Sequence, residues 1–285
     1  MVSDQGSSLP SGSNAAPSKE LTKRILSALV MVAIALVAAY WGGWPFALFW
    51  LAAGIAIMVE WTRMTGVEPR LLVQGIFGLG LAVLTGLFLL GKGLGLFVAV
   101  GLFFLVAGTL LTRGTTDRIW AATGFLYAWP VAFVPPIVRE HPELGLLGLL
   151  WMFAVVWATD VAAYFTGRTL GGPKLCPPIS PKKTWSGFIG GVVAAALGGV
   201  LVAWAGRKFG LNLPFGLLGT AAVSIIASVA SQIGDLGESA LKRHCNVKDS
   251  SHLIPGHGGV MDRLDGFWAV CLIVAAVLSA IRFIP

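Results

Sequence analysis

Carboxylates are scarce in this chain, and nearly half of them fall in two polar stretches of its second half. Of the 13 Asp and Glu residues among 285, six lie in or beside these stretches: Asp160, Asp235, Glu238, Asp249, Asp262 and Asp265. Asp160 and Asp235 directly follow long apolar runs. A carboxylate at the centre of a membrane helix costs about 2.5–3.5 kcal/mol on insertion scales, so one near the bilayer usually has a cation partner or a function. The alternative is that both residues cap helix ends at the membrane interface.

The second polar stretch, residues 231–266, has charges at helical spacing. Four residues three and four positions apart share one face of a helix: Asp235, Glu238, Ser239 and Lys242. Asp262 and Asp265 are likewise three apart, at the start of the last apolar run. Hard oxygen ligands beside Lys and Arg suit Mg²⁺ together with polyphosphate. A solvated helix with surface ion pairs is the ordinary alternative, and it is weaker here because charges are few elsewhere.

The first polar stretch, residues 157–187, contains Ser180-Pro-Lys-Lys-Thr184 just before an apolar run. Two cations and two hydroxyls at the amino end of a helix form an anion site, because the first backbone amides of the helix point the same way. An equally good explanation from composition is a basic anchor on the cytoplasmic side of a membrane span.

Other site chemistries fit the sequence poorly. The spacing from Gly86 to Lys92 matches a phosphate loop, but Gly93 replaces the required Ser or Thr and no strand precedes it. His and Cys residues near 250 lack the paired spacing of a zinc site. The chain also has no Gly-x-Ser-x-Gly nucleophile motif.

The elements that carry these residues follow from composition. The chain is 56% hydrophobic and 12% charged, with mean hydropathy +0.82, whereas a soluble domain is about 25% charged. Disorder is excluded by the hydrophobic excess, and a disulfide scaffold by the presence of only three cysteines. We therefore predict an all-α, polytopic helical integral membrane protein. Its net charge of +7 then indicates basic cytoplasmic loops rather than nucleic-acid binding.

Nine uncharged runs predict about nine transmembrane helices: 25–40, 45–59, 71–90, 93–111, 119–138, 144–159, 188–205, 215–234 and 266–281. Three prolines, Pro130, Pro135 and Pro136, should bend or break the fifth. Residues 1–18 are interpreted as a disordered tail and 19–285 as a single transmembrane catalytic domain, whose motifs lie in 157–265. A cleaved signal peptide is a weaker explanation of the first run.

Topology follows from the basic residues. With the N-terminus in the cytoplasm, 15 of the 20 Lys and Arg residues fall on the cytoplasmic side and five opposite. This asymmetry predicts a cytoplasmic N-terminus, and both polar stretches then face the cytoplasm. Gly187 and Gly191, four residues apart, are interpreted as a helix-packing pair.

One segment of the second polar stretch reads Ser239-x-Leu-Lys242-Arg243-x4-Lys248-Asp249-x5-Pro255-Gly-His257-Gly-Gly-x2-Asp262-Arg263-x-Asp265. This pattern resembles the signature of the phosphatidate cytidylyltransferase (CDP-diacylglycerol synthase) family. Three further motifs match the family in the same order: Asp160 with Ala163-Tyr164 and Gly167-Arg168, Ser180-Pro-Lys-Lys-Thr184, and Gln232-x-Gly-Asp235. The resemblance covers 157–265. It departs at Ser186, where family members usually have Glu, so an acidic role at that position is in doubt.

The resemblance implies transfer of the cytidylyl group from CTP to phosphatidate, giving CDP-diacylglycerol and pyrophosphate. It also implies Mg²⁺ dependence, in a centre of one or two cations, and a homodimer. A bacterial cytoplasmic membrane is the default location, with membrane lipids as partners and no nucleic acid. The lipid phosphate is already anionic at neutral pH, so a strong general base is not essential.

Roles are assigned as a hypothesis on the matching positions. Asp235 and Asp262 are the main metal ligands, and Asp160, Glu238 and Asp265 either add ligands or support them. Ser239 coordinates or orients the same cluster. Three residues are placed on a phosphate: Lys182, Lys183 and Thr184. Four more share the triphosphate and the lipid phosphate: Lys242, Arg243, Lys248 and Arg263. His257 is a donor to a phosphate oxygen.

Two other functions stay open. A cation-coupled transporter would use the same carboxylates, but it predicts polar residues in the middle of several spans rather than in two stretches on one side. A related lipid enzyme would use CTP with another acceptor, as a polyprenyl-type kinase or an archaeal lipid cytidylyltransferase does.

Overall fold

The computed structural model describes residues 17–254 and 258–281. Most of the predicted tail 1–18, and the predicted donor His257, lie outside these residues. Within them the chain forms nine helices and one hairpin: α1 (Pro17–Trp41), α2 (Gly43–Thr65), α3 (Arg70–Leu89), α4 (Leu94–Leu110), α5 (Thr115–Glu140), α6 (Gly145–Leu170), β1 (Lys174–Cys176), β2 (Ser180–Thr184), α7 (Trp185–Lys208), α8 (Gly216–His244) and α9 (Met261–Ile281).

Six of these helices are long and apolar enough to cross a membrane: α2, α3, α5, α6, α7 and α8. They identify an integral membrane protein, but the predicted count of about nine spans is not confirmed. The apolar helix α4 has 17 residues, which rise about 26 Å, less than the roughly 30 Å of a hydrocarbon core. The apolar part of α1, Leu29–Trp41, is shorter still.

The prolines of α5 do not break it. The helix continues from Thr115 to Glu140 with Pro130, Pro135 and Pro136 inside it. Its second half is almost completely buried, and α5 packs against α2, α6 and α9. Close packing of neighbouring helices allows Pro within membrane helices, which explains why the predicted interruption is absent.

The two helices that contain Asp160 and Asp235 extend well past the apolar runs from which they were predicted. Helix α6 continues to Leu170 and α8 to His244, so Asp160 and Asp235 lie inside helices and not at their ends. The helix-cap alternative is therefore wrong. The carboxyl-terminal parts of these two helices project polar side chains toward the amino ends of α7 and α9.

A two-stranded antiparallel hairpin joins α6 to α7, an addition to the predicted all-helical fold. Lys174 pairs with Thr184, and the hydroxyl of Ser186 donates to the Gly171 carbonyl at the base of the hairpin. Ser186 thus has a structural contact at the position where an acidic residue is usual. Two consecutive prolines in the turn limit its length and stop it from forming a helix.

Glycines bring α6 and α7 close together. A Cβ atom on Gly187 would lie 2.7 Å from the Ala163 carbonyl oxygen, and one on Gly191 would lie 3.0 Å from that of Thr159. Both glycines are buried, as expected of the predicted packing pair. The contact fixes the hairpin and the start of α7 beside Asp160.

Stacked aromatic rings join the first half of the chain to α9. Trp50 of α2 stacks on Phe267 with ring centroids 5.1 Å apart, and Tyr127 of α5 stacks on Trp268 at 4.5 Å. Such pairs contribute about 0.5–1.5 kcal/mol each beyond their burial. They hold the amino-terminal half of α9 against α2 and α5.

Candidate active site

A polar cavity of about 970 Å³ opens where α6 and α8 meet the hairpin and the amino ends of α7 and α9. Its volume lies at the upper end of the roughly 300–1,000 Å³ of small-molecule sites. Nine of the residues predicted from sequence line it: Asp160, Lys182, Lys183, Thr184, Asp235, Lys242, Asp262, Arg263 and Asp265. Residues from two separate polar stretches therefore form one wall.

The hairpin supplies the basic side of the cavity. Lys183 Nζ lies 2.7 Å from Asp235 Oδ2, and each side chain keeps a quarter or more of its surface exposed. Thr184 caps α7, since its hydroxyl oxygen accepts a hydrogen bond of 3.1 Å from the Gly187 amide. Strand β2 thus places Lys183 against Asp235 of α8 and ends where α7 begins.

Lys242 lies between two carboxylates. Its Nζ is 2.6 Å from Asp262 Oδ1 and 3.1 Å from Glu238 Oε1. The Glu238 side chain is completely buried and also accepts a 3.3 Å hydrogen bond from the Tyr127 hydroxyl. One ammonium thus offsets two carboxylates.

The second oxygen of Asp262, Oδ2, accepts three hydrogen bonds. Two come from the amide and hydroxyl of Ser250, both 2.9 Å long, and one from the Gly259 amide at 2.8 Å. Burial opposes ionisation of Asp262, but the bonds from Lys242, Gly259 and Ser250 outweigh it and keep the pKa of Asp262 below its ordinary value. Asp262 is therefore held in place and charged at neutral pH.

Three more carboxylates approach one another from three helices. Asp160 of α6 and Asp265 of α9 both interact electrostatically with Asp235 of α8. The Ser239 hydroxyl lies 3.5 Å from Asp235 Oδ1, one turn away on the same helix. Like charges that face one cavity repel, and a bound cation would relieve this repulsion.

The donor set fits Mg²⁺ bound together with a phosphate ligand. Among the residues that the structure describes, no three His, Cys, Asp or Glu side chains come close enough to hold a metal ion alone. Mg²⁺ seldom needs such a cage, since it usually takes one or two carboxylates, several waters and substrate phosphates. Asp235 and Asp262 suit this mode, because both carboxylates line the cavity that a phosphate ligand would enter.

The remaining predicted residues lie around the cavity and not on it. Glu238 is behind Lys242, and Ser239 is beside Asp235. Arg243 and Lys248 are exposed and do not contribute to the lining.

Sequence reasoning missed Glu60, Tyr127 and Ser250, which contact the site carboxylates or the loop around them. For Glu60 a signal existed, because it directly follows the apolar run 45–59, as Asp160 and Asp235 follow theirs. Tyr127 and Ser250 have no such signal, because an isolated hydroxyl residue is compatible with many environments.

A bundle of apolar helices with acidic and basic side chains around one cavity defines an integral membrane protein with a charged cavity. The sequence model described as the cytidylyltransferase family matches residues 22–281. The chain belongs to this family, whose members are nucleotidyltransferases.

Curated relatives agree along most of the chain. The protein of Brucella suis biovar 1 (strain 1330) is 42% identical over 262 residues, covering 90% of this chain and 91% of the relative. That of Haemophilus influenzae is 34% identical, covering 87% and 95%, and that of Bacillus subtilis is 32% identical, covering 87% and 94%. All three are named phosphatidate cytidylyltransferase.

Proposed function

We propose that this protein transfers the cytidylyl group of CTP to phosphatidate, forming CDP-diacylglycerol and pyrophosphate. The observation that carries this proposal is the convergence of the family's motif residues on one cavity of mixed charge. The matching relatives, which cover both halves of the chain, support it independently.

The chain's own residues are suited to bringing two polyanions together. An oxygen of the lipid phosphate attacks the α-phosphorus of CTP, and the bond from that phosphorus to the bridging oxygen of pyrophosphate breaks. Lys182 and Lys183 bind phosphate from the hairpin, while Lys242 and Arg263 offset charge from the other side. Preorganised cations of this kind stabilise the charge that develops in the transition state.

Mg²⁺ is the cofactor that we propose, held by Asp235 and Asp262. Asp160, Glu238 and Asp265 would supply further ligands or support, in a centre of one or two cations. When bound, the metal would neutralise triphosphate oxygens and polarise the reacting phosphoryl group. The lysines that pair with these two carboxylates would then be available to the phosphates.

We place the cavity at the cytoplasmic face of a bacterial inner membrane. The asymmetry of basic residues supports this orientation, and a soluble nucleotide must meet a lipid headgroup at such an interface. A homodimer, which the family resemblance implies, stays a prediction. Cross-linking of the protein in nanodiscs would test it.

The decisive experiment supplies α-labelled CTP and Mg²⁺ to the purified protein in nanodiscs containing phosphatidate and competing lipids. We expect label in CDP-diacylglycerol and release of one pyrophosphate for each product. Label in another lipid would identify a different acceptor. Ion flux into liposomes without CTP-dependent pyrophosphate release would favour the transporter and refute the proposal.

A further inference from the structure

Glu60 is a buried carboxylate of α2, far along the chain from both polar stretches. It is only 1% exposed. A buried charge is costly unless hydrogen bonds compensate for it, so its partners show what it does in the fold.

Two backbone amides and two serine hydroxyls, all neutral donor groups, surround the Glu60 carboxylate. Oε1 accepts from the Ser251 hydroxyl at 2.6 Å and the Val260 amide at 2.9 Å. Oε2 accepts from the Met261 amide at 2.7 Å and lies 3.2 Å from the Ser250 hydroxyl, whose single hydrogen is directed to the nearer Asp262 Oδ2. Each oxygen of Glu60 therefore has one backbone amide and one serine hydroxyl beside it.

The two amides belong to the amino end of α9, where backbone donors have no acceptor within the helix. Glu60 acts as a cap supplied by another helix, and its negative charge suits the positive end of the helix dipole. A Cβ atom on Gly259 would lie 2.6 Å from Glu60 Oε1, so the chain passes Glu60 closely before the helix begins.

Ser250 connects this cap to the site. Its hydroxyl lies within hydrogen-bonding distance of Glu60 and, at 2.9 Å, of Asp262 Oδ2. The adjacent Gly259 amide also donates to Asp262. Glu60 therefore contacts both segments that donate hydrogen bonds to Asp262, residues 250–251 and 259–261, without lining the cavity itself.

We propose that Glu60 is a positioning residue, which sets the orientation of Asp262 toward the cavity by holding residues 250–251, residues 259–260 and the first turn of α9. This inference rests on the proposed function, because positioning is meaningful only if Asp262 acts in the reaction. It extends the functional site to the first half of the chain.

The test variant is Glu60→Gln, which keeps the size and removes the charge. All four neighbouring groups are donors, so the new amide group faces donors, and at least one backbone amide loses its acceptor. Hydrogen–deuterium exchange of peptides covering 258–262 should become about tenfold faster, while peptides from 267–279 should be unchanged.

The kinetic measurements distinguish a positioning role of Glu60 from a general loss of stability. We expect kcat to fall about 10- to 100-fold, and the Mg²⁺ concentration for half-maximal activity to rise about tenfold, as for other residues that orient metal ligands. KM values for CTP and phosphatidate should stay within about threefold. The matched control is Thr62→Val, a buried polar change on the same helix, where the hydroxyl contacts Met58, Val59 and Gln74.

The outcomes are distinct. Wild-type exchange rates in Glu60→Gln, or faster exchange with unchanged kcat and Mg²⁺ requirement, would overturn the inference. If Glu60→Gln does not fold, Ser251→Ala removes one hydrogen bond to Glu60 Oε1. It should shift the exchange rate and the kinetic constants less, in the same direction, and no shift would also overturn the inference. If the wild-type protein makes no CDP-diacylglycerol, the proposed function fails, a result that the exchange measurement does not depend on.

Discussion

At the scale of single residues, Lys242 is a tightly held charge in the cavity wall. It contacts Asp262 and Glu238 with only 13% of its side chain exposed. Removing one member of a buried ionic group leaves its partners uncompensated, which typically costs about 3–5 kcal/mol. A substitution of Lys242 should therefore change the stability of the fold as well as its proposed contact with a substrate phosphate.

We predict that Lys242→Met lowers the free energy of unfolding by about 3 kcal/mol and abolishes product formation. Adding Glu238→Gln should recover part of the stability, because it removes one of the unpaired charges, but none of the activity. Thermal unfolding in detergent and the labelled-CTP assay measure the two effects. Lys92→Met, an exposed change, is the control and should alter neither.

Asp235 should behave differently. Its ion pair with Lys183 is partly exposed, so Asp235→Asn should change stability by no more than about 1 kcal/mol. As a proposed metal ligand it should nevertheless lower kcat about 100-fold or more. A folded Asp235→Asn protein that makes CDP-diacylglycerol at the wild-type rate would rule out the metal assignment.

At the scale of elements, the close contact of α6 and α7 positions the hairpin lysines. Gly187→Ala would place a Cβ atom 2.7 Å from the Ala163 carbonyl, and such overpacking costs about 1–3 kcal/mol. We predict lower stability and weaker CTP binding, because Thr184 and Lys183 move with the start of α7. Gly78→Ala in α3, where a Cβ atom meets nothing within 4 Å, should be neutral or slightly stabilising. Equal effects of the two variants would contradict this view.

Helix α8 shows what spacing can and cannot predict. The three- and four-residue intervals from Asp235 to Lys242 correctly indicate one helical face. Ser239 contacts Asp235, and Lys242 contacts Glu238, each one turn earlier in the helix. Continuation of the helix to His244 was not predictable from hydropathy, because the apolar run ends at Gly234. Packing of the polar face against α9 stabilises those last turns.

At the scale of the whole molecule, the fold places the ends of α7 and α8 at opposite ends of the bundle. Lys208 closes α7 far from the cavity, whereas Arg243 lies near it at the end of α8. In a cysteine-free background we predict that an impermeant maleimide labels Lys208→Cys from the periplasmic side and Arg243→Cys only from the cytoplasmic side. Labelling of both from one side would contradict the proposed orientation.

The composition and motifs by themselves indicated the membrane class, the family and nine charged or polar residues of the cavity wall, since scarcity of charge makes each remaining charge conspicuous. Only the tertiary structure decided which charges neutralise one another and that residues of α2 and α5 contact the groups around the cavity. Glu60 and Ser250 are 190 positions apart. Their contact depends on how α2 packs with α9, and no local pattern of residues encodes a distance of that kind.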